Sequence, residues 1–305
     1  MDHPIFLLLI TGTIFFLMLA LGLNHSFQEI TSLLHRPNLL LRSLLAVIVL
    51  APMVVALLLW FFNLPSEIAA GLAVLAAAPG APLTYKRTEM AGGDITYAAS
   101  LQLTLALLAV VVTPLILSIF NALFKVLADP ATHFHVIRQV AEVTFLPVII
   151  GLFIQRFTPN FAGLIANPVR ILANFLFIAL FVLLTFLVVL KPNFRMMLNF
   201  CGHTTGAIII MVTISLSIGH LLGGPLQEQR SVLAIATIAR NVGLALFITS
   251  QWDNGQDITP TLLTYLIWGG LLGVLYSIWS KRRMISEKNR SYQDHNGLAR
   301  RSPNK

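Results

Sequence analysis

The stretch Ser231–Trp252, SVLAIATIARNVGLALFITSQW, is apolar except at its centre, where Arg240 and Asn241 precede Gly243. About 20 apolar residues span the hydrocarbon of a bilayer, so this stretch has the length of a transmembrane helix with Arg240 near the midplane. An arginine at that depth cannot easily reach either surface, and its insertion costs roughly 2.5–3.5 kcal/mol. The sequence therefore predicts that Arg240 has a partner or a task inside the protein.

The composition indicates a membrane protein with many spans. The 305 residues are 57% hydrophobic and 10% charged, and their mean hydropathy is +0.83. A soluble domain cannot cover so much apolar surface. The net charge of +8 is concentrated in the basic tail 281–305, which is typical of a cytoplasmic membrane flank. We therefore expect the lipid bilayer as a partner and no nucleic acid.

Nine apolar runs reach or approach spanning length, which predicts an all-α polytopic membrane protein with about nine transmembrane helices. The runs are about 4–23, 39–62, 68–90, 97–124, 140–157, 171–190, 196–222, 232–252 and 262–279. An odd number of spans places the two termini on opposite sides. With the basic tail in the cytoplasm, the N-terminus is expected outside, in the plasma (inner) membrane.

The third run is interrupted in its middle by Pro79, Gly80, Ala81 and Pro82. Two prolines remove backbone donors and disfavour helix just ahead of each proline, so the helix is expected to break or kink there. The alternatives are an ordinary proline kink and a discontinuous helix that lines a polar cavity. Because the third and eighth runs are both interrupted, the pattern favours a transporter site at the midplane.

Several polar residues near the two interruptions are candidates for contact with a substrate or ion. Thr84 and Thr88 share one helical face after the first break, whereas Lys86 and Arg87 are expected to extend toward the membrane surface. Gln102 in the fourth run is a candidate either for a helix–helix hydrogen bond or for a ligand. The full candidate set is Arg240, Asn241, Thr84, Thr88, Gln102 and Thr237, with Pro79, Gly80, Pro82 and Gly243 as the broken-helix backbone.

Four segments together resemble the bile acid:sodium symporter family: LALGLNHSFQEITSLLHRP at 19–37, APGAPLTY at 78–85, ARNVGLAL at 239–246 and TLLTYLIWGGLLG at 261–273. The resemblance implies two inverted repeats in one transporter unit, 1–280, with two broken helices that cross in a core domain. The panel domain would comprise about 4–23, 140–157 and 171–190, and the core about 39–124 and 196–279. Members of the family move organic anions, usually with Na⁺, so a small organic anion is the implied substrate.

This sequence departs from the family at the positions that would bind sodium. Ala236 stands where the family normally has a glutamate, and Arg240 stands where it has a glutamine. Further expected ligands fall at Val47, at Ala98 and Gln102, and at the pair Thr84–Tyr85. Hard cations need several oxygen ligands, commonly including a carboxylate. Sodium coupling is therefore doubtful, and no cofactor or metal is expected.

Three roles for Arg240 follow from its position. Its guanidinium could replace a bound sodium ion, could bind a carboxylate or sulfonate of the substrate, or could hydrogen-bond the carbonyls freed at the first break. The first two roles are compatible with each other.

Other classes of protein are less well supported by the sequence. The interior has no HExxH motif, paired carboxylates or Cys–His pair for an enzyme, and no filter-like repeat for a channel. A sensor built on a transporter fold, or a uniporter or exchanger of related fold, remains as an alternative to a symporter-like carrier.

Overall fold

The structure is a computed structural model that describes residues 4–81, 84–126, 138, 140–190, 194–252 and 255–300. Within these residues every regular element is helical, apart from an isolated antiparallel bridge between Pro79 and Arg240. The predicted all-α architecture is confirmed.

The N-terminal half begins with a spanning helix and ends with another, on either side of shorter segments. The elements are α1 Pro4–Asn24, α2 Phe27–Leu34, α3 Pro37–Leu44, a π-helical segment Leu45–Leu50, α4 Ala51–Phe61, α5 Ser66–Ala77, α6 Thr84–Met90 and α7 Ile95–Phe124. The run from α3 to α4 has no interruption and forms one span, Pro37–Phe61.

The C-terminal half repeats the mixture of long and interrupted helices. Its elements are a π-helical segment Ala141–Phe145, α8 Leu146–Phe157, α9 Pro159–Val189, α10 Phe194–Leu222, α11 Gln227–Ile238, α12 Val242–Thr249 and α13 Gly255–Arg300. Two of these helices exceed the predicted runs: α9 starts at Pro159, a favoured first helical residue, and α13 continues through the basic tail as far as Arg300.

Six segments of the described chain are individually long and apolar enough to cross a membrane: Phe6–Asn24, Pro37–Phe61, Ile95–Phe124, Pro159–Val189, Thr204–Leu222 and Asp257–Glu287. The other three predicted spans correspond to the interrupted pairs α5–α6 and α11–α12 and to the segment 141–157. The polytopic membrane class is confirmed, and the exact count of nine stays a prediction.

The first, fifth and sixth predicted spans pack on one another through close backbone contacts. Helix α1 packs chiefly on α8 and α9. A Cβ atom at Gly22 would lie 2.3 Å from the carbonyl oxygen of Val148, and one at Gly151 would lie 2.7 Å from that of Leu19. Small residues allow such close approach between membrane helices. The division into panel and core, and the inverted repeats, stay predictions.

The close approach of α1 and α8 predicts that Gly22→Ala lowers the free energy of unfolding by about 1–3 kcal/mol, because the new methyl group overlaps the Val148 carbonyl. Gly12→Ala is the matched control on the same helix, since its methyl group would meet nothing within 4 Å. That control should leave stability unchanged or raise it by up to about 1 kcal/mol. Thermal unfolding in detergent measures both, and equal shifts would contradict the role given to Gly22.

Candidate functional site

The two interrupted segments meet in the interior of the molecule. The backbone N–H of Asn241 donates to the carbonyl oxygen of Ala78 at 2.9 Å, and that of Ala81 donates to the carbonyl oxygen of Ala239 at 3.1 Å. The residues that follow α5 therefore run antiparallel to those that follow α11. The predicted pair of broken, crossing helices is confirmed.

The residues of the first break suit this crossing. Pro79 faces Arg240 between the two hydrogen bonds, a position where the missing N–H of proline costs no bond. Gly80 has a φ of +80°, and a Cβ atom there would lie 3.1 Å from Cβ of Leu105 on α7. Both facts favour glycine at position 80. Pro82, the other proline of the predicted break, lies outside the described residues.

The guanidinium of Arg240 is buried among backbone carbonyls. The residue is 3% exposed. Its Nη1 donates to the carbonyl oxygen of Ala76 at 3.2 Å, and Nη1 and Nη2 both donate to that of Val47, at 3.4 and 3.3 Å. Within the described part of the chain, no carboxylate lies within 4.0 Å of the guanidinium. Carbonyl dipoles, rather than a counter-ion, therefore stabilise the charge.

Both carbonyls lack a partner in their own helix. In a π-helical turn the carbonyl of Val47 would accept a bond from the residue five positions later, which is Pro52 and has no N–H. The neighbouring N–H of Ala51 donates instead to Ala46. Ala76 lies in the last turn of α5, where carbonyls have no intrahelical donor. Arg240 therefore satisfies two oxygens that would otherwise be bare at this depth.

Tyr265 on α13 supports the second break in the same way. Its hydroxyl donates to the carbonyl oxygen of Ile238, the last residue of α11, and the residue is 3% exposed. Asn241 then starts α12, because its side-chain Oδ1 accepts from the N–H of Leu244 at 3.0 Å. Its Nδ2 has no acceptor among the described residues, although Asn241 is also only 3% exposed.

A cavity of about 50 Å³ adjoins these residues, and we call it the crossing cavity. Its polar lining residues are Thr84, Arg87, Arg240, Asn241 and Tyr265, and Gly243 also lines it. The Thr84 hydroxyl donates to the carbonyl oxygen of Ala81 at 2.5 Å. None of the described residues that line the cavity is acidic. The cavity is therefore suited to a group with negative charge.

A larger cavity of about 320 Å³ lies between α1, α6, α7 and α9, and we call it the vestibule. Its polar lining residues include His25, Glu29, Lys86, Glu89, Arg170 and Asn174. Leu17 lines both the vestibule and the crossing cavity. Small-molecule sites usually have volumes of about 300–1,000 Å³. The vestibule has room for a small organic molecule, whereas the crossing cavity has room only for part of one.

Three of the predicted site residues do not line either cavity. Gln102 is 1% exposed, and neither atom of its amide has a partner among the described residues. The methyl group of Thr88 packs against Gly93. The hydroxyl of Thr237 donates to the carbonyl oxygen of Ser215 at 2.7 Å and so joins α11 to α10. A role for these three in ligand binding stays a prediction.

Sequence reasoning missed three contributors to the site. Arg87 was expected near the membrane surface, but it lines the crossing cavity with Thr84, three residues earlier on α6. That helical spacing was the available signal. Pro52 was a visible signal for a free carbonyl in the second span. Nothing in the sequence indicated that Tyr265 bonds to the end of α11.

Two interrupted helices that cross at membrane depth, beside a cavity lined in part by arginine and asparagine side chains, are the architecture of a secondary transporter. The profile of the Sodium Bile acid symporter family matches residues 11–193, and the chain belongs to that family. The resemblance seen in the sequence is confirmed.

Curated relatives support the same class. The chain is 24% identical over 275 residues to a Bacillus subtilis protein named uncharacterized sodium-dependent transporter YocS, covering 87% of this chain and 81% of that protein. It is 24% identical to the rice protein named probable sodium/metabolite cotransporter BASS5, chloroplastic, covering 88% of this chain and 68% of that one. The human P3 protein is 25% identical over 80% of this chain, which spans about half (51%) of its length. The chain is therefore an integral membrane transporter of the bile acid symporter type.

The bond from Tyr265 to the end of α11 predicts that Tyr265→Phe lowers the free energy of unfolding by about 1–3 kcal/mol, because one buried acceptor at the crossing loses its donor. Thr264→Val is the control. The neighbouring hydroxyl that it removes donates within its own helix, to the carbonyl of Pro260. Thermal unfolding in detergent should show a clear loss for the first variant and little change for the second. A stable Tyr265→Phe protein would show that the bond does not hold the break.

Proposed function

We propose that this chain is a secondary transporter that carries small organic anions by alternating access and does not require Na⁺. The observation that supports it best is the Arg240 guanidinium bonded to carbonyl oxygens where the two broken helices cross. Backbone carbonyl oxygens are also the kind of ligand that a hard cation binds. A guanidinium at this place supplies a fixed positive charge that needs no ion from solution.

The surrounding side chains are consistent with a site that has lost its ion. Ala236, where the family normally has a glutamate, is 2% exposed and packs with Val47 in an apolar cluster. Neither side chain offers an oxygen. Two relatives have names that include sodium, which favours a requirement for Na⁺. The proposal is that this chain differs from them in its coupling ion.

The fixed charge also favours an anionic solute. The crossing cavity contains two arginines and no acidic lining residue among those described. A carboxylate or sulfonate that enters from the vestibule would be attracted to this positive field, which is weakly screened in a buried site. Movement of the core past the helices α1, α8 and α9 would then open the cavity to the other side. The proposal needs no bound cofactor.

Contacts bring the basic residues Arg36 and Arg230 to one end of the bundle. Arg36 pairs with Asp94 at 3.7 Å, and the N–H of Asp94 donates to the carbonyl oxygen of Glu228 at 3.4 Å. Nearby, Nε of Arg230 donates to the carbonyl oxygen of Gly224 at 2.7 Å. Because positive loops face the cytoplasm, we propose that this end is cytoplasmic, with the N-terminus outside, in the plasma (inner) membrane.

Replacement of Na⁺ should have little effect on transport. In proteoliposomes loaded with choline chloride, uptake of labelled organic anions should stay within about two-fold of uptake in NaCl, since the site offers too few oxygens for a hard cation. A panel of pyruvate, succinate and taurocholate covers a small acid, a diacid and a bulky sulfonate. The YocS protein, whose name states sodium dependence, is assayed in parallel for comparison. A strict Na⁺ requirement here would contradict the proposal, and binding without uptake would indicate a sensor.

Removal of the fixed charge should abolish transport. Arg240→Ala leaves two buried carbonyls without donors and removes the positive charge at the crossing, so uptake should fall by about 100-fold or more while the protein stays monodisperse. The double variant Ala236→Glu/Arg240→Gln supplies the side chains found in the family and should gain a dependence on Na⁺. Full uptake by Arg240→Ala would remove the residue from the mechanism.

A further inference from the structure

We propose that the crossing cavity holds the anionic group of the substrate and that Arg87, rather than Arg240, is the cation that binds it. This inference rests on the function proposed above and assigns roles within the same site. Both terminal nitrogens of Arg240 donate to backbone carbonyls, and only its Nε has no partner among the described residues. A single N–H cannot form the bidentate pair that an arginine fork makes with a carboxylate or sulfonate. A second cation is therefore needed at the cavity.

The short helix α6 presents its charged residues to two different spaces. Lys86 and Glu89, three residues apart, line the vestibule. Thr84 and Arg87, also three residues apart, line the crossing cavity. Residues at this spacing share a helical face, so the fold separates a solvated pair from an inward-facing pair. Arg87 is half-buried, whereas Lys86 is exposed.

Arg87 has room and freedom at this position. A Cβ atom at Gly270 would lie 3.6 Å from its Nη2, and one at Gly273 would lie 3.8 Å from its Nη1. The guanidinium thus lies along a glycine face of α13. No carboxylate of the described chain lies within 4.0 Å of it. Its planar fork is available for bidentate hydrogen bonds to an oxyanion.

A second donor lies at the same cavity. Asn241 is 3% exposed, and its Nδ2 has no acceptor among the described residues. A buried amide donor without a partner is costly unless something else accepts its bond. The positive N-terminal end of α12, which begins one residue later, adds to the attraction for an anion. Arg87 and Asn241 together form an oxyanion seat.

The sizes of the two cavities indicate how a solute would divide between them. A volume of about 50 Å³ suits a single carboxylate or sulfonate, and the adjoining vestibule of about 320 Å³ takes the rest of the molecule. Leu17 borders both spaces. The substrate class is therefore an organic acid with one terminal oxyanion. The rest of its molecule must fit a vestibule lined by both acidic and basic side chains.

The test compares Arg87→Gln, Arg87→Lys and Arg156→Gln in proteoliposomes, with labelled pyruvate, succinate and taurocholate as probes. Arg87→Gln should lower kcat/KM by about 10- to 100-fold, mainly through KM, because a charge-assisted hydrogen bond to the substrate is lost. Arg87→Lys should recover only part of the loss, since it keeps the charge without the fork. Arg156→Gln, the control at an exposed arginine of α8 that lines neither cavity, should stay within about three-fold of the parent chain because an exposed charge is well screened.

A second pair of variants adds a side chain at Gly270, next to the guanidinium of Arg87, and leaves Arg87 itself unchanged. Gly270→Leu should displace the guanidinium and raise KM as Arg87→Gln does. Gly270→Ala should not, because its methyl group would make only an ordinary contact of 3.6 Å. Monodispersity in detergent shows that each variant folds. An unchanged KM in both Arg87→Gln and Gly270→Leu would overturn the inference and leave the proposed function standing.

If the parent chain takes up none of the probes, the proposed function fails, and binding decides the inference separately. Thermal unfolding of the detergent-purified protein would then be followed as pyruvate or taurocholate replaces chloride. A stabilisation that is present in the parent chain and in Arg156→Gln but absent in Arg87→Gln would support the oxyanion seat. Its absence from the parent chain, or its persistence in Arg87→Gln, would overturn it.

Discussion

The hydrogen bonds from Arg240 to the carbonyls of Val47 and Ala76 connect three parts of the chain that are far apart in sequence. A bond to a charged group contributes about 1.5–3 kcal/mol, so two satisfied carbonyls are comparable to the roughly 2.5–3.5 kcal/mol that insertion of an arginine costs. Each partner needs the others. Without Arg240 the carbonyls are bare, and without Pro52 the Val47 oxygen would have its own donor.

The crossing arranges backbone in a way that a continuous helix could not. Irregular backbone survives at membrane depth only where protein or a cavity satisfies it. Here Asn241 and Ala81 bond the two breaks to each other, and Tyr265 satisfies the end of α11. At the crossing, Nδ2 of Asn241 and Nε of Arg240 have no partner within the described chain, and both residues line the cavity. Two donors that the fold leaves unpaired therefore lie where a solute would bind.

Much of this architecture could be predicted from the sequence because it depends on local rules. Hydropathy located six apolar helices of spanning length, the two prolines at 79 and 82 located the first break, and Arg240 marked the second. The orientation of side chains could not be predicted from such local rules. Arg87 looks like a residue at a helix end, and only the packing of α6 against α13 turns it toward the crossing. The hydroxyl of Thr237, a predicted ligand, donates to a carbonyl of α10, and its role in binding stays a prediction.

Contacts between distant segments explain the rest of what could not be predicted. Pro52 leaves the carbonyl of Val47 without a donor in its own π-helical turn. The residue that donates to this carbonyl, Arg240, lies nearly 190 positions after Pro52 in the sequence. The bond from Tyr265 to Ile238 likewise joins residues in different helices. Neither periodicity nor composition carries information about such pairs. The panel and core boundaries belong to the same category, since they concern which helices move together.

The unbroken course of α13 has a mechanical consequence. Twenty residues of helix separate Ser280 from Arg300, which at 1.5 Å per residue is a rod of about 30 Å. A tilt of about 10° at its membrane end would sweep the far end through about 5 Å, given that length. Because Tyr265 ties the same helix to the second break, a rearrangement at the crossing would be magnified at the basic tail. A small tilt of α13 at the membrane surface would therefore become a large displacement of the basic tail.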